Sequence, residues 1–234
     1  MKLRSAILVI LLIIIADQAL KIWIKTSFPI GHVRNILGFR WAQLYFIENE
    51  GMAWGWKWGG EWGKMLLTLF RLAAVIFGTW YLVRIVKQHY SKGFILCASL
   101  IYAGALGNLI DSMFYGMIFD KGMSFDPVTN EYLTYTGVAH LTTHGGYQGF
   151  LHGSVVDMLY FPMIHSSFPS WVPFIGGNEF EFFSPIFNIA DASISIGVIT
   201  LLLFQKRLVK KKDEVVESQT VTTSTELGDR AHVM

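Results

Sequence analysis

Four stretches of this chain stay apolar over enough length to cross a bilayer as helices: residues 6–24, 63–86, 94–118 and 184–205. Each reaches the roughly twenty residues that a hydrocarbon core of about 30 Å demands of a helix. The first follows Lys2 and Arg4, which invites a reading as a cleavable secretory leader. No small-x-small cleavage site comes after it. Asp17, Gln18 and Lys21 follow instead, then apolar residues again, the pattern of an uncleaved span whose lysine snorkels toward the interface.

Between the first two spans the period changes. Residues 25–62 alternate, most clearly from Ala42 to Ile47, with Gly and Asn at turn positions and many aromatics, so they predict short strands in a platform at the level of the lipid headgroups. Residues 119–152 are polar, rich in Gly, Thr and Tyr, and predict an outward-facing loop or hairpin; residues 166–182 form a second outward connection. The tail, 206–234, is charged and then rich in Ser and Thr, with too little apolar content to fold, and is expected to be disordered. The predicted fold is therefore a mostly α membrane protein. It is a single domain over residues 1–205, with four transmembrane helices and a small extracytoplasmic β platform between helices 1 and 2.

Composition agrees with lipid as the solvent for much of the surface: 53% of residues are apolar, 15% aromatic and 15% charged. The net charge of +2 says less than where the basic residues lie. Lys2 and Arg4, then Arg84, Lys87 and Lys92, then Lys206, Arg207 and Lys210 to Lys212 all fall on one side. By the positive-inside rule that side is cytoplasmic, which places both termini there. The one cysteine, Cys97, lies in an apolar run; it forms no intrachain disulfide and is a poor thiolate.

Against this background the intramembrane charges stand out. An ionised side chain inside a membrane helix costs on the order of 2.5–3.5 kcal/mol on insertion scales, so each one needs a partner or a purpose. Asp191 interrupts the fourth span, and Asp157, in GSVVDMLYFP, is the acid to set beside it. Asp17 and Lys21 share a helix face, where an ion pair that merely orients the helix end is the plainer reading. Counted inward from the outer ends, Asp17, Arg71, Asp111 and Asp191 each lie about seven or eight residues deep, roughly 10–12 Å, which predicts a shared polar cavity opening outward. The turn at Asn49 to Trp54 reads first as a hairpin turn. His140, His144 and His152 read as solvated rather than as metal ligands, since no Cys or HExxH arrangement accompanies them.

Several motifs in order resemble one family, the bacterial lipoprotein signal peptidases or signal peptidase II. They are ADQALK with Asp17 and Lys21, NEGMAWG with Asn49, Gly51, Ala53 and Trp54, and GALGNLID with Gly104, Gly107, Asn108 and Asp111. GSVVDMLYFP and FNIADASISIG complete the set, with Asp157, Asn188, Asp191 and Ser193. The resemblance implies an aspartic endopeptidase of the bacterial cytoplasmic membrane that cuts just before a cysteine already carrying a diacylglyceryl group. It implies Asp157 and Asp191 as the catalytic pair, and Asn49, Gly51, Asn108, Asp111, Asn188, Asp17 and Lys21 as binding or supporting residues. No metal or other cofactor is implied. The expected partners are a diacylglyceryl-prolipoprotein and membrane lipid, with no nucleic acid, and the chain is expected to work as a monomer.

The chain departs from that pattern twice. Ser112 stands where the family usually has Arg, and about thirty residues are inserted before the Asp157 block. Arg71, at matching depth on the second span, is expected to supply the missing charge to Asp111, and the insertion to cap the substrate entrance. The residues agree with the chemistry, because two carboxyls sharing one proton supply both an acid and a base. Neither Ser154 nor Ser193 has a histidine in a triad-like context. The competing readings are a small proton- or ion-coupled transporter subunit, for which matched broken helices are lacking, and a scaffold whose charges only pair helices.

Overall fold

A computed structural model describes residues 1–49, 60–126, 128–129, 131–167, 169–171, 173–174, 176–182 and 184–209. Its helices are α1 (Leu3–Ser27), α2 (Gly60–Lys87), α3 (Lys92–Ile110) and α5 (Ile189–Leu208), with a short α4 (Gly116–Ile118) joined to α3 through a π turn at Asp111–Tyr115. Among the described residues four helices are long and apolar enough to cross a membrane: Leu3–Ser27, Trp62–Lys87, Lys92–Ile118 and Ile189–Leu208. Their outer faces carry Leu8, Leu12, Ile15, Phe70, Phe77, Leu202 and Leu203, all exposed, as a surface solvated by acyl chains requires.

The helices close on one another through small residues. A β-carbon at Gly104 of α3 would lie 2.2 Å from the Ala190 carbonyl oxygen, so only glycine lets the first turn of α5 approach α3 this closely. Ser193, from the last motif, donates to the carbonyls of Leu100 and Ala190 at 3.1 and 2.8 Å and serves this seam.

The platform is a four-stranded antiparallel sheet in the order β1 (Val33–Ile36), β2 (Phe39–Asn49), β5 (Val155–Tyr160) and β8 (Ile186–Phe187). Leu37 and Gly38 both take positive φ, 50° and 82°, the two-residue turn that matches strand twist in a hairpin. Two strands of the sheet come from beyond α4, so the platform is built from more than the segment between helices 1 and 2. A hairpin alone would leave the long edge of β2 unpaired, and β5 fills it, with Ile47 opposite Asp157 and Asn49 opposite Val155.

The 119–152 insertion is folded against the end of the third span. Backbone bonds join Thr142 to Ile118, Tyr147 to Phe119 and Gln148 to Gly116 at 2.9–3.0 Å, and β3 (Ser124–Asp126) pairs with β4 (Glu131–Leu133). A second hairpin joins β6 (Ile164–Ser167) to β7 (Glu179–Phe182). Two apolar cores result. One gathers Ala6, Ile10, Leu82, Ile85, Phe94, Ile95 and Ala103; the other gathers Ile24, Phe46, Tyr115, Phe119, Ala139, Val156 and Met158. Asp17 and Lys21 on α1 and Asp111 on the π turn fall between the two.

The fourth helix begins at Ile189, five residues later than residue 184, because residues 186 and 187 pair with β5 and Asn188 caps the helix. Asp191 thus sits in the first turn, whereas Asp17 lies ten residues from the end of α1 and Arg71 eleven from the start of α2. The equal depths counted from the sequence do not hold. What brings these residues to one level is that the helices start and stop at different heights. Of the tail 206–234, expected to be disordered, Lys206, Arg207 and Leu208 continue α5; residues 210–234, with Gly51, Ala53 and Trp54 of the platform motif, lie outside the described residues.

Candidate active site

Asp157 reaches the site from β5 and is 2% exposed. Its Oδ2 accepts from Asn49 Nδ2 at 3.2 Å and its Oδ1 from Asn188 Nδ2 at 2.6 Å. Asp191 lies half-buried on the first turn of α5, where its Oδ1 accepts from Asn108 Nδ2 at 2.7 Å. Asn188 and Asn108 bond to each other at 3.1 Å, so an amide chain runs from one carboxyl to the other. Asn188 also caps α5, its Oδ1 accepting from the Asp191 backbone N–H at 2.8 Å. Helix cap and carboxyl support are one side chain here.

Behind this pair lies a second cluster. Lys21 Nζ is 2.8 Å from Asp17 Oδ2, 2.7 Å from Asp111 Oδ2 and 3.0 Å from Asn108 Oδ1, with all three ionised side chains at 1% exposure or less. Gln18 donates to Asp111 at 2.8 Å and accepts from the Tyr115 hydroxyl at 3.1 Å. Asp17 Oδ1 takes the Ala190 backbone N–H at 2.9 Å, so α5 is capped by two side chains from different elements. No described buried side-chain N or O lacks a partner.

Arg71 does not pair with Asp111. Its guanidinium donates to Ser112 Oγ at 2.9 Å, and Asp111 is taken by Lys21 and Gln18. Asp191, Asp111 and Asp157 are the acids near enough for their charges to be felt at the Arg71 guanidinium. Among the described residues neither Asp157 nor Asp191 makes an ion pair, and no cluster of His, Cys, Asp and Glu is arranged to hold a metal ion. His140 is exposed and faces Asp120 at 3.4 Å. The Asp157 carboxyl is pushed up to about 7, first by burial and then by the charge of Asp191, against the smaller opposing influence of Lys21 and the two asparagine bonds.

Known proteins bear on this arrangement. A family model described as Signal peptidase (SPase) II matches residues 9–206. This chain belongs to the signal peptidase II family. The lipoprotein signal peptidase of Porphyromonas gingivalis is 43% identical over 89% of this chain and 84% of its own length. That of Amoebophilus asiaticus is 32% identical over 94% and 85%. Two solved structures of a bacterial membrane enzyme superpose with a TM-score of 0.52 each, at 25% and 26% identity, covering 90% and 88% of this chain and 93% and 94% of theirs. Signal peptidase II enzymes are aspartic proteases, and the four apolar helices, with a fold like that of a solved bacterial membrane enzyme, make this one a multi-pass membrane protein.

Reading the sequence missed Gln18 and Tyr115, which complete the Asp111 shell, and Lys64, which donates to Ser154 Oγ at 3.0 Å in a buried contact. Gln18 was visible inside the ADQALK motif. Lys64 and Ser154 are far apart in sequence, and no spacing connects them.

Proposed function

We propose that Asp157 and Asp191 are the two acids of this peptidase and share one proton between them. The enzyme removes signal peptides from prolipoproteins, as a member of its family. In our reading the precursor carries a diacylglyceryl group on its cysteine, and the cut falls just before that residue. The observation that carries the assignment is that these two carboxyls are held by neutral amides, whereas the other buried acids on α1 and the π turn have a lysine locked between them.

The chemistry follows from the different surroundings. At neutral pH Asp157 retains its proton for part of the time, and Asp191 acts as the carboxylate that takes a proton from water. The water oxygen bonds to the scissile carbonyl carbon as Asp157 gives its proton to the carbonyl oxygen. Collapse of the tetrahedral intermediate breaks the C–N bond, the leaving nitrogen takes the proton held by Asp191, and the carbonyl oxygen returns its own to Asp157. Two acids and water balance the reaction without a cofactor. Arg71, held beside Ser112, directs a positive charge toward Asp191. Asn49, Asn108 and Asn188 orient the acids, Asp17, Lys21 and Asp111 hold the start of α5 in place, and Gly51, in the same motif as Asn49, contributes to binding the peptide.

The protein lies in the bacterial cytoplasmic membrane as a monomer, with both termini cytoplasmic and the acids toward the outer leaflet; the distribution of Lys and Arg supports this orientation. A diacylated cysteine keeps its chains in that leaflet, so the bond beside it meets acids placed where helix α5 meets the sheet. The test is cleavage of a purified diacylglyceryl-modified precursor in detergent. Asp157→Asn and Asp191→Asn should each lower the rate by about 10³-fold or more while leaving the protein folded. Cleavage by either variant at more than a tenth of the wild-type rate would remove that acid from the mechanism.

A further inference from the structure

The 119–152 insertion ends in a buried cage that the mechanism above does not use. Lys25, at the end of α1, pairs with Glu48 of β2, both side chains fully buried. Three aromatic rings of the insertion surround the ammonium: Phe119, Tyr135 and Tyr147, with centroids 5.0, 5.3 and 5.1 Å from Nζ. Glu48 also accepts from the Tyr135 hydroxyl at 2.8 Å and from the Met123 backbone N–H at 2.9 Å. Tyr147 reaches beyond the cage, its hydroxyl oxygen accepting the Ser154 backbone N–H at 2.8 Å. Ser154 immediately precedes β5 and stands three residues before Asp157.

Two arms therefore leave one cage for the two strands that meet at the catalytic acid. Glu48 is paired with Val156 across the sheet and is followed by Asn49, which donates to Asp157. Tyr147 holds the start of the strand that carries Asp157. Gly122 makes this possible, since a β-carbon there would lie 2.2 Å from Tyr147 Cζ. The side chains of the cage are buried and, among the described residues, each buried polar atom has a partner, so shifting the phenol would leave the Ser154 N–H without its acceptor.

We propose that Tyr147, anchored by the Lys25–Glu48 pair, is a positioning residue for Asp157, and that the insertion braces the catalytic strand instead of covering the substrate. This rests on the assignment of Asp157 as a reacting acid. A displacement of the order of 1 Å at such a group can cost about a hundredfold in rate, which is the scale on which a slack strand would be felt.

The experiment compares full-length wild type, Tyr147→Phe and Glu48→Gln on the diacylglyceryl-modified precursor in detergent, measuring kcat, KM, melting temperature and the pH profile of kcat/KM. Tyr147→Phe keeps the ring and removes the hydroxyl that accepts the Ser154 N–H. It should lower kcat about tenfold with KM changed less than twofold, and Glu48→Gln should act in the same direction. The limb of the profile that reports Asp157 should move to higher pH, because looser bonds from Asn49 and Asn188 stabilise its ionised form less. Asp191 on α5, Lys21, Asp17 and Lys25 on α1, Arg71 on α2, Asp111 on the π turn and Glu48 on β2 also face this region, and Tyr147→Phe changes none of them. An unmoved profile with unchanged kcat would overturn the proposal, as would a rise in KM alone, which would make the insertion a substrate contact. A lowered melting temperature with unmoved kinetics of the folded enzyme would reduce the cage to a stabilising role and also overturn it. Failure of wild type itself to cleave would instead strike at the function proposed above.

Discussion

Two carboxylate clusters lie back to back in this protein, and Asn108 belongs to both. Its Oδ1 accepts from Lys21 on one side, and its Nδ2 donates to Asp191 on the other. In the inner cluster Lys21 bonds Asp17 and Asp111 at once, within a buried shell that Gln18 completes. In the outer cluster Asp157 and Asp191 are oriented by three asparagines and neutralised by no ion pair among the described residues. A carboxylate bonded to a lysine has its charge matched, whereas amides orient a carboxyl without neutralising it. In the mechanism proposed here the same residue type serves as framework in one place and as reagent in the other, and the difference lies in what stands next to it.

Removing the lysine should break the inner cluster most severely. Lys21→Met leaves Asp17 and Asp111 buried without their cation, and breaking a buried pair from one side costs about 3–5 kcal/mol. The variant should melt far below wild type or fail to yield folded protein, as read by thermal unfolding in detergent. A variant that melted and cleaved like wild type would erase the distinction between the clusters.

Asn188→Ala should cost less and act on the outer cluster. It removes a cap worth about 1 kcal/mol together with the donor to Asp157, so stability should fall by about 1–3 kcal/mol and cleavage by more than that loss explains. Measured side by side, Asn188→Ala should impair kcat at temperatures where the variant is fully folded.

The opposite sign is expected at Asp157 itself. Its folded carboxyl stands at about 7, against about 3.9 for an unperturbed aspartate, so the folded state holds its proton more tightly. That contribution to stability is complete below about pH 4 and is lost as pH rises through about 7. Asp157→Asn, which cannot ionise, should therefore melt higher than wild type, with a gap that widens between about pH 4 and pH 7 and stays level above. A variant destabilised at every pH would mean that Asp157 is structural. The smallest effect is expected from Ser154→Ala. Although Lys64 stands 3.0 Å from the hydroxyl, the change should alter cleavage less than about twofold, because the serine is not a nucleophile in this reading.

Much of this was legible in the chain. The four spans followed from length and apolarity, and Ala42 to Ile47 showed the alternation of β2. The Asp17–Lys21 pairing followed from helical spacing. Hidden were the features that depend on partners distant in sequence. No local pattern places β5 beside β2, or makes Asn188 bond Asp157 while capping α5, because those contacts join residues up to about a hundred positions apart. Arg71 was visible as a charge in the second span, but its partner is Ser112 and not the aspartate beside that serine. The insertion, read as a loop or hairpin, does contain the β3–β4 hairpin, but its Tyr and Gly residues carry no period that would show them closing around Lys25, which α1 supplies.

Catalysis in the proposed mechanism turns on a proton shared by Asp157 and Asp191, and the pH dependence of kcat/KM for the full-length enzyme on a diacylglyceryl-modified precursor tests that most directly. The prediction is a rate that falls about tenfold per unit above about pH 7 as Asp157 loses its proton, with Asn49→Ala moving this limb to higher pH by removing a bond to the ionised form. A rate that stays level from about pH 6 to pH 9, in wild type and Asn49→Ala alike, would contradict it.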